Sequence, residues 1–129
     1  MDFPDDLKYT REHEWCRVKG KRATVGITEF AQDQLGDIVY LELPAVGDQV
    51  KKGEAFGVVE STKAVSELFA PVSGKVVEVN DPLADAPDTI NEDPYEEGWM
   101  IQVEMDSPSD ADGLMSAAAY AKFVEEEQE

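Results

Sequence analysis

Lys63 is the residue best placed to do chemistry. It lies in the stretch Gly57-Val58-Val59-Glu60-Ser61-Thr62-Lys63-Ala64-Val65-Ser66. An apolar run enters this stretch, a polar tip presents one lysine, and a second alternating run leaves. That pattern is a hairpin holding a primary amine out into solvent. An amine presented this way can anchor a group that reacts in the protein's place. Little else along the chain points to catalysis. Cys16 is the only cysteine and His13 the only histidine. An intramolecular disulfide is excluded, and most zinc sites with them, since those want several His or Cys ligands. On one strand, positions 13 and 16 would point to opposite faces, so a Cys–His nucleophilic pair is not expected. With no nucleophile–base set, phosphate loop or metal cluster legible, the expectation is a chain without catalytic residues or metal ligands of its own.

The elements that must position Lys63 read mostly as short strands. Leu7 to Tyr9 opens one; Glu14 to Val18 and Ala23 to Ile27 form a hairpin across Lys19-Gly20-Lys21-Arg22. Thr28 is placed to cap a short helix, Glu29 to Leu35, that stops at Gly36. Strands follow at Ile38 to Leu43, Gln49 to Lys52, Ala55 to Glu60, Val65 to Ala70, Lys75 to Val79 and Trp99 to Glu104. Residues 80–98 read as an ordered loop excursion rich in Asn, Asp, Pro and Gly. After Asp106-Ser107-Pro108-Ser109 a helical tail is expected. Ser116 would cap its last helix, with Tyr120, Phe123 and Val124 on one face. Acidic residues 125–129 oppose the helix macrodipole there, so the last turn should fray.

Short strands with Gly and Pro between them indicate a flattened β-barrel or sandwich with short peripheral and C-terminal helices. Residues 1–129 are read as one domain, with a core at about 7–105 and a tail at about 108–129. The chain also looks weakly self-similar about Lys63. Val46-Gly47-Asp48-Gln49-Val50 before it matches Val72-Ser73-Gly74-Lys75-Val76 after it. A two-fold arrangement of that kind puts Lys63 at the end of a compact β-sandwich.

Charge narrows the partners. The formal net charge is −18, and it is uneven: residues 1–36 hold six basic and seven acidic side chains, residues 37–129 five basic and twenty-two acidic. Such a field repels nucleic acid and anionic membranes and steers the chain toward basic surfaces. Solubility alone is the plainer explanation of the same charge. The acidic start, Met1-Asp2-Phe3-Pro4-Asp5-Asp6, resembles neither a signal nor a transit peptide, and no window reaches transmembrane length. The expectation is a monomer with no membrane or nucleic-acid partner.

The segment around Lys63 resembles the lipoyl-attachment motif of the glycine cleavage system H proteins. The resemblance runs along nearly the whole chain. It takes in Tyr9-Thr10-Arg11-Glu12-His13-Glu14-Trp15, Val25-Gly26-Ile27-Thr28, Leu35-Gly36-Asp37 and Ala70-Pro71-Val72-Ser73-Gly74. It continues through Ile90-Asn91-Glu92-Asp93-Pro94-Tyr95 and Gly98-Trp99-Met100. The order and spacing of these segments carry more than any one of them. Thr62 stands where that family most often has Val, and Gly113 interrupts the first C-terminal helical segment, weakening it by about 1 kcal/mol relative to Ala.

The resemblance implies a carrier rather than an enzyme. Lipoate would be held in amide linkage on Lys63. Its dithiolane would accept an aminomethyl group from glycine at the pyridoxal-phosphate P protein. The T protein, an aminomethyltransferase, would take the one-carbon unit to tetrahydrofolate. The L protein, dihydrolipoamide dehydrogenase, would reoxidise the dithiol. A lipoate ligase or lipoyl/octanoyl transferase would modify the lysine. The setting would be the cytosol, or the mitochondrial matrix for a mature eukaryotic form. By the same resemblance, Glu14 and Glu67 are the candidates for holding the ammonium of the cargo by charge-assisted hydrogen bonds.

Each assignment has a plainer competitor. Lys63 as an ordinary surface lysine fits its motif context poorly. Biotin carriers also use a hairpin lysine, but with Met on both sides; Thr62 and Ala64 flank this one. Glu14 and Glu67 are equally readable as a solvated face of an acidic protein. Alternation puts Glu14 on the face of Cys16 and Val18, hence at a rim between core and solvent. Cys16 is expected to be a small buried hydrophobe, and His13 and Trp15 to pack the fold. Asn91 to Tyr95 are expected to brace a loop through Asx turns. A relay that hands lipoate to other complexes needs the same presented lysine, and an unmodified acidic interaction domain needs none.

Overall fold

The computed structural model describes residues 1–127. Nine strands form two antiparallel sheets. β1 (Lys8–Tyr9), β2 (Glu14–Lys19) and β3 (Arg22–Ile27) come first, then α1 (Glu29–Leu35) and β4 (Ile38–Glu42). β5 (Gln49–Val50), β6 (Ala55–Ser61), β7 (Val65–Phe69) and β8 (Gly74–Val79) follow. After two one-turn helices, α2 (Pro82–Asp85) and α3 (Thr89–Glu92), come β9 (Ile101–Met105), a 3₁₀ segment (Pro108–Gly113) and α4 (Ala117–Glu127). One sheet has the order β1-β2-β3-β9-β8-β5, the other β4-β6-β7.

The expected mainly-β architecture with short helices is what forms. α1 begins and ends where its sequence signals stand. Thr28 Oγ1 accepts the Ala31 N–H at 3.2 Å, and Gly36, at φ +80°, closes it with its N–H on the Gln32 carbonyl at 3.0 Å. The self-similar units on either side of Lys63 turn out to pair with each other. Gln49 lies opposite Lys75 and Val50 opposite Gly74. The Gly47 N–H donates to the Val76 carbonyl, and the Val76 N–H to that of Asp48, both at 2.8 Å.

Two expectations change. The 80–98 excursion contains α2 and α3 rather than loop alone, each helix carrying one buried side chain, Leu83 and Ile90. Gly113 does not interrupt a helix; it is the last residue of the 3₁₀ segment. α4 runs from Ala117 to Glu127, and Ser116 Oγ takes the Ala119 N–H at 3.2 Å, as the expected cap would. The rest of the tail whose fraying was expected, residues 128–129, lies outside the described residues.

Two apolar clusters result. The larger lies between the sheets and includes Val25, Leu41, Val59, Leu68, Val76 and Ile101. The smaller is aromatic and joins the chain's two ends: Leu7, Tyr9, Trp15, Phe30, Tyr95 and Tyr120, with Phe3 packed on it. Tyr9 and Tyr120 stack at 4.6 Å between ring centroids. This second cluster seats α4 against β1 and α1, beside the site described next.

Candidate functional site

Lys63 stands at the tip of the β6–β7 hairpin and is exposed. The tip is held by its backbone. The Ser61 N–H donates to the Ala64 carbonyl at 2.8 Å, and Ser61 Oγ accepts the N–H groups of Ala64 and Lys63 at 3.0 and 3.3 Å. The Thr62 N–H donates to the Asp37 carbonyl at 3.0 Å, tying the tip to the connection after α1. The lysine stem lies against the end of α1: a β-carbon at Gly36 would stand 3.5 Å from Lys63 Cε. Among the described residues, none of the ion pairs involves Nζ. The backbone is therefore fixed while the amine remains available.

That support is itself braced. Asn91 on α3 accepts the Ile38 N–H through Oδ1 at 2.9 Å and donates through Nδ2 to the Gly36 carbonyl at 2.9 Å and to Gln32 Oε1 at 3.0 Å. These bonds span 53 to 59 residues of chain, so Asn91 bridges elements instead of closing a local Asx turn. Three residues on, the Pro94 carbonyl accepts Trp15 Nε1–H at 2.9 Å. Trp15 can lie flat against β3 because residue 26 is glycine; a β-carbon there would meet the indole at 2.7 Å.

A cleft of about 460 Å³ runs between α1 and the hairpin. Its lining starts at Leu35, next to Gly36, and at Ser66, close after Lys63. Ile27, Phe30, Ala31, Val59 and Leu68 make apolar walls. Four carboxylates line it as well: Glu12, Glu14, Glu67 and Glu127.

Glu14 differs from the others in being buried, with 1% of its surface exposed. The expected rim position is wrong. Glu14, Trp15 and Cys16 are all buried, so both faces of β2 are covered where it begins: one by the inter-sheet core, the other by the aromatic cluster. Strand alternation predicts which face a side chain takes, not whether a helix from the far end of the chain covers it. The carboxylate is satisfied on both oxygens. Thr10 Oγ1–H donates to Oε1 at 2.6 Å and the Phe69 N–H to Oε2 at 3.2 Å. Burial nevertheless outweighs these bonds and pushes the Glu14 carboxyl from its ordinary 4.5 up to about 7. Glu67 is exposed on β7 opposite Val58 and lines the same cleft. The structure thus brings Glu14 and Glu67 together beside the lysine hairpin.

Beyond Glu14, α4 closes the cleft. His13 sits at φ +71°, an uncommon backbone for a residue with a side chain. Its ring makes two polar contacts, both to α4: Nδ1 with the Tyr120 hydroxyl at 2.8 Å and Nε2 with Glu127 Oε2 at 3.0 Å. Tyr120 in turn meets Thr28 Oγ1 at 2.7 Å. Burial holds His13 below its ordinary value, against the pull of Glu127. A neutral ring donating from Nε2 to Glu127 and accepting at Nδ1 from Tyr120 satisfies every member. His13 packs the fold, as expected, and does so by latching α4. Trp15 is wholly buried, and so is Cys16, whose thiol burial pushes up to about 12. Thr10, Asn91, Tyr120 and Glu127 were not singled out from the sequence for this site. Only Thr10, four residues before Glu14, carried a local signal.

Known proteins resemble this chain along its length. The family described as "Glycine cleavage H-protein" matches residues 7–127. The glycine cleavage system H protein of Anaeromyxobacter sp. (strain K) is 73% identical over 128 residues, 99% of this chain and 100% of that protein. That of Myxococcus xanthus (strain DK1622) is 57% identical over 124 residues, 96% of each chain. A crystal structure of a glycine cleavage system H protein from Mycobacterium marinum superposes with a TM-score of 0.86 at 44% identity, covering 93% of this chain and 97% of that one. With matches that span its length and a fold that superposes, this chain belongs to the glycine cleavage H-protein family.

Proposed function

We propose that this chain is a lipoyl carrier of glycine cleavage, with lipoate in amide linkage on Lys63. One observation carries the reading: an exposed lysine on a rigid turn stands beside a cleft that a buried carboxylate lines. The amine is free for acylation, and the backbone bonds at Ser61 and Thr62 keep the tip from collapsing onto the sheet. The cleft beside it has the apolar walls that an aliphatic arm requires and the anionic floor that a cationic end requires. When bound, lipoate supplies a dithiolane that accepts an aminomethyl group derived from glycine and later gives it up.

The chain's own part is to present, receive and release. An ammonium seated by Glu14 replaces a proton there and supplies the charge partner the buried carboxylate lacks. Glu67, exposed at the rim, adds attraction without the same desolvation. Once Lys63 is acylated, no side chain of this protein breaks or makes a bond to the aminomethyl group in that scheme, so it acts as a carrier and not an enzyme. Its partners are then the P, T and L proteins of the glycine cleavage system and a lipoate ligase or lipoyl/octanoyl transferase. The outer face beside the lysine suits such partners. Tyr40, Glu60 and Val65 stand in one cross-strand row, with Glu42, Val58 and Glu67 in the next. Tyr40 and Val65 are 49% and 67% exposed, which is high for apolar side chains.

The deciding experiment is peptide-level mass spectrometry after incubation with lipoate and a lipoate ligase, followed by loading from glycine with purified P protein. A single lipoyl adduct on Lys63, and a subsequent aminomethyl load, is the expected result. An unmodified Lys63 alongside a control acceptor that is modified overturns the carrier reading. A modified Lys63 that takes no load removes the glycine-cleavage assignment.

A further inference from the structure

Glu14 is buried, and its orientation comes from the turn that precedes it. The Thr10 N–H donates to the Glu14 carbonyl at 3.0 Å, and the His13 N–H to the Thr10 carbonyl at 3.2 Å, closing residues 10–14 on themselves. The Thr10 hydroxyl serves this turn twice. It accepts the Glu14 N–H at 3.1 Å and donates to Oε1 of the same residue at 2.6 Å. The hydroxyl's one hydrogen is thereby committed, and a β-branched side chain has few other rotamers to take. An ionised carboxylate has about four acceptor positions. Thr10 and the Phe69 N–H fill one on each oxygen. The remaining positions are the ones the cleft can use.

We propose that Thr10 is a positioning residue for the cargo-holding carboxylate. By gripping both the backbone and Oε1 of Glu14, it sets the direction in which the free lone pairs meet a docked ammonium. The inference rests on the carrier reading of the cleft. Rotation of Glu14 has somewhere to go, which is why a positioner matters. A second cavity, of about 240 Å³, lies on its other side and is lined by Thr10, Glu14, Phe69 and Leu114. Without the Thr10 hydroxyl the carboxylate can turn toward that cavity and away from the arm. Charged groups face Glu14 from both sides. His13, Glu67 and Glu127 line the arm cleft, Arg11 and Lys52 line the second cavity, and Glu12 lines both. Turning toward two cations would leave the cleft short of its buried anion.

The test uses Thr10→Val, Thr10→Ser and Glu14→Gln. The first readout is the ¹³C carboxyl titration of Glu14 in the unmodified protein. Loss of a hydrogen bond to the charged form should raise the midpoint of Thr10→Val by about one pH unit, and Thr10→Ser should restore it. The second readout is the lifetime of the aminomethyl load on the lipoylated protein. Thr10→Val should shorten it by about tenfold, again with rescue by Ser. If Val disturbs folding, judged by thermal unfolding and amide fingerprint, Thr10→Ala against Thr10→Ser makes the same comparison. An unmoved midpoint, or a Ser variant as impaired as Val, overturns the positioning role. A shortened lifetime in Glu14→Gln with no change in Thr10→Val overturns it while leaving the cleft reading intact. No change in Glu14→Gln overturns the cleft reading itself.

Discussion

The lysine hairpin and the Glu14 turn are both short connections between antiparallel strands, and they differ in what is held. At the hairpin every polar contact is made by the backbone or by Ser61, and the Lys63 side chain stays exposed. At the Glu14 turn the side chain is the thing held: Thr10 and Phe69 fix its two oxygens, and α4 fixes the strained His13 beside it. Under the proposed carrier role, the first region presents a group that must travel, so rigidity stops at the Cα. The second would receive it, so preorganisation extends to the terminal atoms. Desolvation follows the same division, raising Glu14 to about 7 at the receiving end.

The largest expected effect comes from removing what covers the receiving end. Tyr120 is wholly buried, stacks on Tyr9 and touches both His13 and Thr28. Tyr120→Ala should cost about 3–5 kcal/mol in urea unfolding, the usual range for emptying an aromatic site. Hydrogen exchange should quicken at residues 10–14 and in α4 while the amides of Ser61 and Thr62 keep their protection. Equal loss in both places would show that the two regions are one cooperative unit.

Next in size is a pH effect confined to the receiving end. The folded value of Glu14 is raised above its ordinary 4.5, so the folded state binds that proton more tightly than the unfolded chain does. The stability this contributes is fully present below about pH 4.5 and is lost as pH rises through about 7. Relative to Glu14→Gln, which cannot titrate, the wild type should therefore lose about 3 kcal/mol between those limits. Paired denaturation curves from pH 4.5 to 8 measure it, and the subtraction removes the shared contributions of His13 and of the large negative charge. A difference that does not vary with pH would mean that Glu14 titrates as an exposed carboxylate and that the receiving end is not dry.

Asn91→Ala sharpens the contrast from the other side. It leaves the Ile38 N–H and the Gly36 carbonyl without their partner, at a cost of about 2 kcal/mol. The disturbance should fall on the end of α1 and the Lys63 support, with the Glu14 titration midpoint unmoved. A shift of that midpoint would show that the scaffold through Pro94 and Trp15 couples the two regions more tightly than their separate bonding implies.

The same contrast explains what could be read in advance. The hairpin and α1 are encoded locally, by alternation and by Thr28 and Gly36 as caps. They appear in the structure where the residues place them. Glu14 is the opposite case. Its carboxylate is held by the Phe69 N–H, 55 residues away in the chain, and the adjoining His13 by Tyr120 of α4, and no local pattern states that a helix will close over β2. Asn91 is similar: its neighbours suggest a turn former, but its partners are at 32, 36 and 38. α2 and α3 were hidden because one helical turn in an Asn-, Asp- and Pro-rich stretch has too few apolar positions to show a period.

The smallest effect belongs to the presenting end and tests whether its rigidity matters at all. Ser61→Ala removes the oxygen that accepts the Ala64 and Lys63 N–H groups but keeps the 2.8 Å bond from the Ser61 N–H to the Ala64 carbonyl. The stability cost should be about 1 kcal/mol, because the tip is close to water and solvent can replace the lost acceptor. Acylation of Lys63 by a lipoate ligase should slow by only a few-fold, since Nζ stays exposed and the enzyme can pay the small ordering cost of a looser turn. Initial rates at saturating lipoate measure it. A loss of a hundredfold or more would show that the ligase reads the shape of the turn, and that the presenting end is preorganised as strictly as the receiving one.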